Sequence, residues 1–372
     1  MFLITPDQSV VSTDGRLIFF SLKRFISDIV QGSCCFICGA SPDAVPFNDE
    51  HVLPDWILRR FKLHDRVITL PNGTKFRYGQ FKIPCCEECN RMMGDTFERP
   101  IHGLFENGHK SVGEYLKRHG AWLLFSWMCL IFLKTHLKDK QLRLHLDARK
   151  GEGSIGDNYT WEELHHVHCV ARAFFTRCDL KKEVLGSLLV VPVKVLPYFE
   201  SFDYGDLSFA QTVLLRIDDV AIITVIDDSQ ASISAAYETV QKIKGPLSPL
   251  QVRELAVRLA INNIHLAERT RFKSEINMLA EECSIVAQRP SEEIRFDEFK
   301  DEIVGQMMAH LCGPLLGNQD RDGKILEMLR TGHYGFLFDE RGEFRTDDMD
   351  PVNSDDPEHQ VALPMKQPGA TR

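Results

Sequence analysis

Cys35-Phe36-Ile37-Cys38-Gly39 and Cys86-Glu87-Glu88-Cys89-Asn90 form two CxxC pairs with 47 residues between them. Each pair can wrap two thiolates around one face of an ion, and the two together describe a tetrahedral structural zinc site. Cys34 and Cys85 stand beside the pairs and leave the register ambiguous; only 35/38 with 86/89 gives two such spacings. A site of this kind contributes roughly 10–16 kcal/mol of metal binding to folding. Between the pairs runs Asn48-Asp49-Glu50-His51-Val52-Leu53-Pro54-Asp55-Trp56, an acid and a histidine followed by two apolar residues and a proline. Histidine exchanges a proton near neutral pH. Glu50 and Asn90 carry hard oxygens that suit Mg²⁺ or Mn²⁺ better than zinc.

In this order, CxxC, Glu-His-x-x-Pro and CxxC-Asn, the segment resembles the HNH endonuclease family, in particular its zinc-knuckle branch in bacterial and phage genomes. The likeness covers about 65 residues, less than a fifth of the chain. It implies a ββα-metal module of treble-clef type, in which Glu50-His51 ends the first strand and a helix opening at Cys89-Asn90 closes the unit. It also implies phosphodiester hydrolysis of DNA, RNA not being excluded, with His51 as general base and Glu50 and Asn90 as ligands of a catalytic Mg²⁺ or Mn²⁺. General-base help is typically worth ~10²–10⁴-fold, and the cation neutralises charge that develops on the phosphate. The chain departs from the pattern in two places. For the family's central loop residue only Asn72 is available, in an expected turn, and the place of a further helix ligand falls among Gly94, Asp95 and Glu98. Phage defence and restriction are settings that the resemblance implies.

The net charge of −9 looks wrong for a nucleic-acid partner until it is divided. Residues 1–150 hold 21 basic and 16 acidic side chains, a net of +5, so the remaining 222 residues carry −14. Arg59, Arg60, Lys62, Arg66, Lys75, Arg77 and Lys82 have only Asp65 as a nearby acid in sequence, a patch able to attract phosphates in a salt-dependent way. Arg59, Arg60, Lys62, Lys75, Arg77 and Lys82 are the expected nucleic-acid contacts.

The elements that must position these groups give an α+β chain. Residues 1–32 read as a strand and helix extension, 33–100 as the zinc module, 101–185 as helical, 186–338 as an α+β C-terminal domain and 339–372 as a disordered acidic tail. Pro71-Asn72-Gly73 between two β-rich runs signals a hairpin. Residues 112–137 and 160–177 look helical, and Thr160 with Glu163 has the form of a capping box. Ser187 to Leu196 and Thr212 to Ile226 read as strands, the second turning at Asp218-Asp219. Ser248-Pro249-Leu250-Gln251 opens a helix, and further helices are expected over 271–285, 291–311 and 323–331. The tail, with nine acids against two bases in 339–358, lacks apolar residues for a core.

Other clusters carry less chemistry. His165, His166 and His168 precede Cys169 in an expected helix without further ligands nearby, Asp218-Asp219 and Asp227-Asp228 fit turns, and Trp122 and Trp127 fit a core. The apolar run from Ala121 to Leu133 is 13 residues and stops at Lys134, short of the ~20 needed to span a bilayer. Eleven cysteines without an export signal at the N-terminus fit a reducing cytosol. Three readings follow: a metal-dependent HNH-type nuclease, a zinc-supported nucleic-acid-binding module without catalysis, and a protein-interaction scaffold. The C-terminal region is then the place for self-association or a regulatory partner.

Overall fold

Strand-forming residues at the N-terminus fold first into a small meander of β1 (Phe2–Ile4), β2 (Val10–Ser12) and β3 (Leu17–Phe19), followed by a helical segment Leu22–Val30. The structure, a computed structural model, describes residues 1–290, 293–320 and 322–346. The cysteine-bearing module follows. β4 (Phe47–His51) leads through Pro54 into α1 (Asp55–Arg60), and β5 (Val67–Thr69) and β6 (Lys75–Arg77) form the hairpin expected around Pro71-Asn72-Gly73. β7 (Lys82–Cys86) then returns antiparallel to β4 and runs directly into α2 (Glu87–Met93).

The helical run expected over 112–137 is two helices, α3 (Gly108–His119) and α4 (Trp122–Lys140), bent 113° at the break. Gly120 makes the break because its φ of +76° is a left-handed conformation that glycine adopts without strain. α4 is apolar all round and buried along nearly its whole length, as a central core helix should be. Trp127 is buried, but Trp122, expected in the core, is 42% exposed because it sits in the first turn beyond the bend. No single helix among the described residues is long and apolar enough to cross a membrane. α5 (Trp161–Ala171) packs along α4. Thr160 lies at its N-cap without a side-chain hydrogen bond, so the expected capping box does not form.

The centre is a four-stranded antiparallel sheet in the order β10-β11-β12-β9, built from β9 (Ser187–Pro192), β10 (Phe202–Leu207), β11 (Thr212–Ile217) and β12 (Val220–Val225). The β11–β12 turn falls at Asp218-Asp219 as expected, whereas β10 was not foreseen. Alternation sorts its side chains between two cores. Val213, Leu215, Ile217, Val220 and Ile222 join the core that holds the zinc module and α4, while Leu214, Ala221, Ile223 and Val225 face α6 (Pro249–Ile264). Ser248 and Gln251 complete the capping box of α6. α7 (Asp301–Leu316) and α8 (Lys324–Arg330) cover that second core. α7 starts ten residues later than the sequence suggested.

Residues 271–285, expected to be helical, are instead part of a hairpin, β13 (Arg271–Asn277) with β14 (Glu282–Gln288), and a two-residue strand, β8 (Asp179–Leu180), pairs parallel to β14. The reason is a period of two: Phe272 and Ile276, then Cys283, Ile285 and Ala287, all lie on the face turned to the first core. The expected disorder of the acidic segment is corrected over its first eight residues. Residues 339–346 make a turn in which Phe338 bridges Phe344 and Gln251 donates to the Arg345 carbonyl, so they are ordered against the second core. The rest of the expected tail, 347–372, lies outside the described residues.

One buried side chain ties the module to the helices behind it. Arg172 is 1% exposed and donates to the carbonyls of Ile37 (2.7 Å), Ile18 (2.8 Å) and Leu17 (2.7 Å). Replacing Arg172 by Met strands three buried carbonyls, each worth about 1–3 kcal/mol. Denaturant unfolding of the variant is expected to show a loss of about 3 kcal/mol or more, with zinc released at a lower denaturant concentration than in wild type.

Candidate metal centre and acid–base cluster

The first cysteine pair is a tight knuckle. Gly39 N–H donates to Cys35 O (2.8 Å) and Cys35 N–H to Ala40 O (2.9 Å), while Gly39 takes φ +79°. A Cβ on Gly39 would lie 2.9 Å from the Phe20 ring, so only glycine closes this turn here. The two carbonyls inside the knuckle are held from α5: His168 Nε2 donates to Phe36 O at 2.8 Å and Arg172 to Ile37 O. The second pair sits where β7 becomes α2. Cys86 is the N-cap and its sulfur accepts the Cys89 N–H at 3.5 Å, so the positive end of the helix faces the thiols.

The Sγ atoms of Cys35, Cys38, Cys86 and Cys89 all lie within 4.8 Å of one another. Zn–S bonds of about 2.3 Å in a tetrahedron require sulfurs roughly 3.8 Å apart, and Cys38 and Cys86 stand at 3.6 Å. The four-cysteine group can therefore hold a metal such as zinc, in the expected register. Cys85 also comes to 3.7 Å from Cys35 but is not part of that group. Hydrogen bonds from Cys38, Cys85 and Cys89 hold the Cys35 thiol well below its ordinary range, and Cys35 in turn pushes Cys38 up to about 12. Four thiols this close cannot all ionise unless a cation neutralises them, which couples metal uptake to proton release.

The β4–β7 ladder separates this centre from the second group of residues. Phe47 pairs with Cys86 at one end and His51 with Lys82 at the other, roughly 14 Å along the strand at 3.4 Å per residue. His51 is half-buried, and burial first, then the Lys82 ammonium, holds its imidazole below the ordinary value, which favours the neutral form that can accept a proton. Its ring stacks at 5.8 Å on His64, whose Nε2 meets Asp55 Oδ1 at 3.0 Å. Asp55 opens α1 and also pairs with Arg59.

Glu50 points the other way and is buried. Lys134 of α4, 1% exposed, donates to Glu50 Oε1 and to the His51 carbonyl, both at 2.7 Å. Beside them the Glu98 carboxyl is raised to about 7 by burial and by Glu50 and Asp55, with Lys134 opposing. Asn90 lies on α2 and its amide donates to Asn48 Oδ1 at 2.7 Å, two residues up the strand from Glu50. Asp95 pairs with Arg91 and Arg99 as a solvated helix acid. Asn72 donates to the Arg143 and Leu144 carbonyls and pins the hairpin tip, away from His51.

Of the basic residues, Arg59 pairs with Asp55, Arg60 with Asp218 (2.6 Å) and Arg66 with Glu200 (2.9 Å). Lys62, Lys75, Arg77 and Lys82 have no ion pair among the described residues, and the first three are exposed. His165, His166 and His168 each bond a backbone carbonyl and serve the core, as their spacing suggested. Asp55, His64 and Lys134 were missed in the sequence. Lys134 left one trace: a lysine embedded in an apolar helix must reach an oxygen outside that helix.

Two substitutions test this geometry. Cys89→Ser should abolish zinc retention, whereas Cys85→Ser should keep one zinc per chain, measured by atomic emission after dialysis. Lys134→Met, which leaves Glu50 buried without its partner, should lose roughly 3–5 kcal/mol in denaturant unfolding, and Lys134→Met with Glu50→Leu should recover much of it. Comparisons with family models, with curated proteins and with solved structures find no match to this chain.

Proposed function

We propose that the protein is a metal-dependent HNH-type endonuclease that hydrolyses phosphodiester bonds of DNA. The observation that carries this reading is His51: a neutral, half-buried imidazole at a strand end, with Asp55, His64 and Lys82 around it and a four-cysteine metal centre bracing the same two strands. His51 takes the proton from the attacking water as general base. Lys82 and the unpaired Lys62, Lys75 and Arg77 offer cations to the phosphodiester backbone, with Arg59 and Arg60 able to exchange their carboxylates for phosphate.

Glu50 and Asn90 would hold a catalytic Mg²⁺ or Mn²⁺. Lys134 takes Glu50 Oε1 and Asn48 takes the Asn90 amide hydrogens, which leaves Glu50 Oε2 and Asn90 Oδ1 without a hydrogen bond among the described residues. These are hard oxygens of the type that such ions prefer. When bound, the ion would neutralise charge on the phosphate. Phage defence or restriction is the setting we infer for such a nuclease.

A second reading, a zinc-supported module that binds nucleic acid without cutting it, draws on the same pair of contacts. Glu50 is already satisfied by a buried ammonium, and Asn90 is tied to Asn48. Plasmid cleavage with Mg²⁺ or Mn²⁺ separates the two. Wild type is expected to cut and His51→Ala to lose activity by ~10²-fold or more with unchanged zinc content. The acid limb of the wild-type rate should lie below the ordinary imidazole value of about 6.5, because His51 must be deprotonated and its pKa is lowered. Salt-sensitive DNA binding without cleavage would replace the first reading by the second.

A further inference from the structure

Just beyond Lys134 on α4, a second cluster of ionisable groups is buried with no cation in ion-pair contact among the described residues. His136 is 1% exposed, and its Nδ1 lies 2.7 Å from the Phe132 carbonyl. A carbonyl only accepts, so Nδ1 carries the proton and Nε2 presents a lone pair. That lone pair has no hydrogen-bond partner and is shielded from solvent. Asp206 Oδ2 of β10 lies 3.9 Å from it. One turn along α4, Asp139 is also 1% exposed; Tyr159 O–H donates to its Oδ2 at 2.6 Å, while Oδ1 is buried and unpartnered.

The cluster therefore brings one imidazole lone pair and two carboxylates into one buried region, Asp139 near enough to Asp206 to feel its charge, with no lysine or arginine in ion-pair contact with either acid among the described residues. Burial raises both carboxyls, Asp139 to about 7, where the Tyr159 hydroxyl and the Lys138 ammonium oppose the rise and Asp206 adds to it, and burial holds His136 low. Protein groups also hold the donors in place in the way that a metal ligand is held: the far nitrogen of His136 is fixed by a carbonyl and Asp139 by a tyrosine. Tyr204, bonded to Thr135 at 2.7 Å, is buried within reach of the charges of Asp206 and Asp139. Asp206 is 22% exposed on its side chain and gives the interior a route to solvent.

We propose that His136, Asp206 and Asp139 form a second metal site, for a divalent transition cation that accepts one imidazole nitrogen and carboxylate oxygens. The ion satisfies the two orphaned atoms and supplies positive charge in direct contact with the acids, which Lys138 acts on only from a distance. It draws the three donors together from their present spacing. The inference stands apart from the nuclease reading, since none of these residues contacts Glu50, His51 or Asn90.

Full-length, zinc-loaded protein titrated with Mn²⁺ and followed by electron paramagnetic resonance tests it. Wild type should bind one Mn²⁺ more than Asp206→Asn or His136→Gln, or those variants should bind it at least tenfold more weakly. Glu50→Gln and Asn90→Ala should leave this Mn²⁺ in place, so loss of the candidate catalytic ion is told apart from loss of this one. Nitrogen modulation from a coordinated imidazole should be present in wild type and in His51→Ala, and absent in His136→Gln. One retained zinc per chain shows that each variant is folded. Equal Mn²⁺ counts in wild type and Asp206→Asn would overturn the proposal, leaving a shared proton or a water between the groups. Wild-type Mn²⁺ without imidazole nitrogen would overturn it too, with no variant needed.

Discussion

A buried ammonium on an otherwise apolar helix must find oxygen, and Lys134 finds two, the Glu50 carboxylate and the His51 carbonyl. These contacts fix the end of β4 against α4. Because His51 is the next residue after Glu50, the ion pair also sets where the imidazole stands relative to Asp55, His64 and Lys82. Ion pairs of this kind add little net stability over an apolar pair of the same shape, but breaking one is expensive. Its role is then positional. The strand cannot slide or twist away from the helix without exposing a bare charge to the core.

The other end of β4 is held by different physics. Two cysteine pairs converge on one point, where their thiols can hold a metal ion such as zinc. The knuckle is not self-sufficient: its inner carbonyls are satisfied by His168 and Arg172, from a helix more than 120 residues downstream. A five-residue ladder is thus clamped by a metal centre at one end and by a buried charge at the other. Such clamping is what a proton-transfer group requires, because its reach and its pKa both depend on fixed neighbours. The cysteine group that could hold a metal is roughly four residues of strand from His51, so the two are separate in space.

Much of this was legible in the sequence, and the boundary of legibility has a physical cause. The cysteine register followed from spacing alone, and the hairpin at Pro71-Asn72-Gly73, the β11–β12 turn and the capping box at Ser248 followed from local rules. Local rules failed where a tertiary surface decided the conformation. Residues 271–285 carry helix-forming residues, yet Phe272, Ile276, Cys283 and Ile285 alternate, and the first core rewards alternation. Lys134 and Arg172 look like ordinary helix residues until their partners, 84 and up to 155 positions away, are known. His64 looks like loop composition until Asp55 and His51 stand beside it.

The charge division along the chain also gains a structural meaning. The basic excess of the first 150 residues and the acidic excess of the rest partly face one another: Arg60 reaches Asp218, Arg66 reaches Glu200, and the His109 amide meets Asp219. Exposed pairs such as these are individually worth about 0–1 kcal/mol, so they do not hold the two cores together. The central sheet does that, since both of its faces are buried. What the pairs do is narrow the free positive surface. Arg60 and Arg66 are paired within the chain, and Lys62, Lys75 and Arg77 stay exposed without a carboxylate among the described residues, with half-buried Lys82 beside His51. A phosphate chain attracted to this face would be drawn to that remaining set, which follows the hairpin to the strand end where His51 stands.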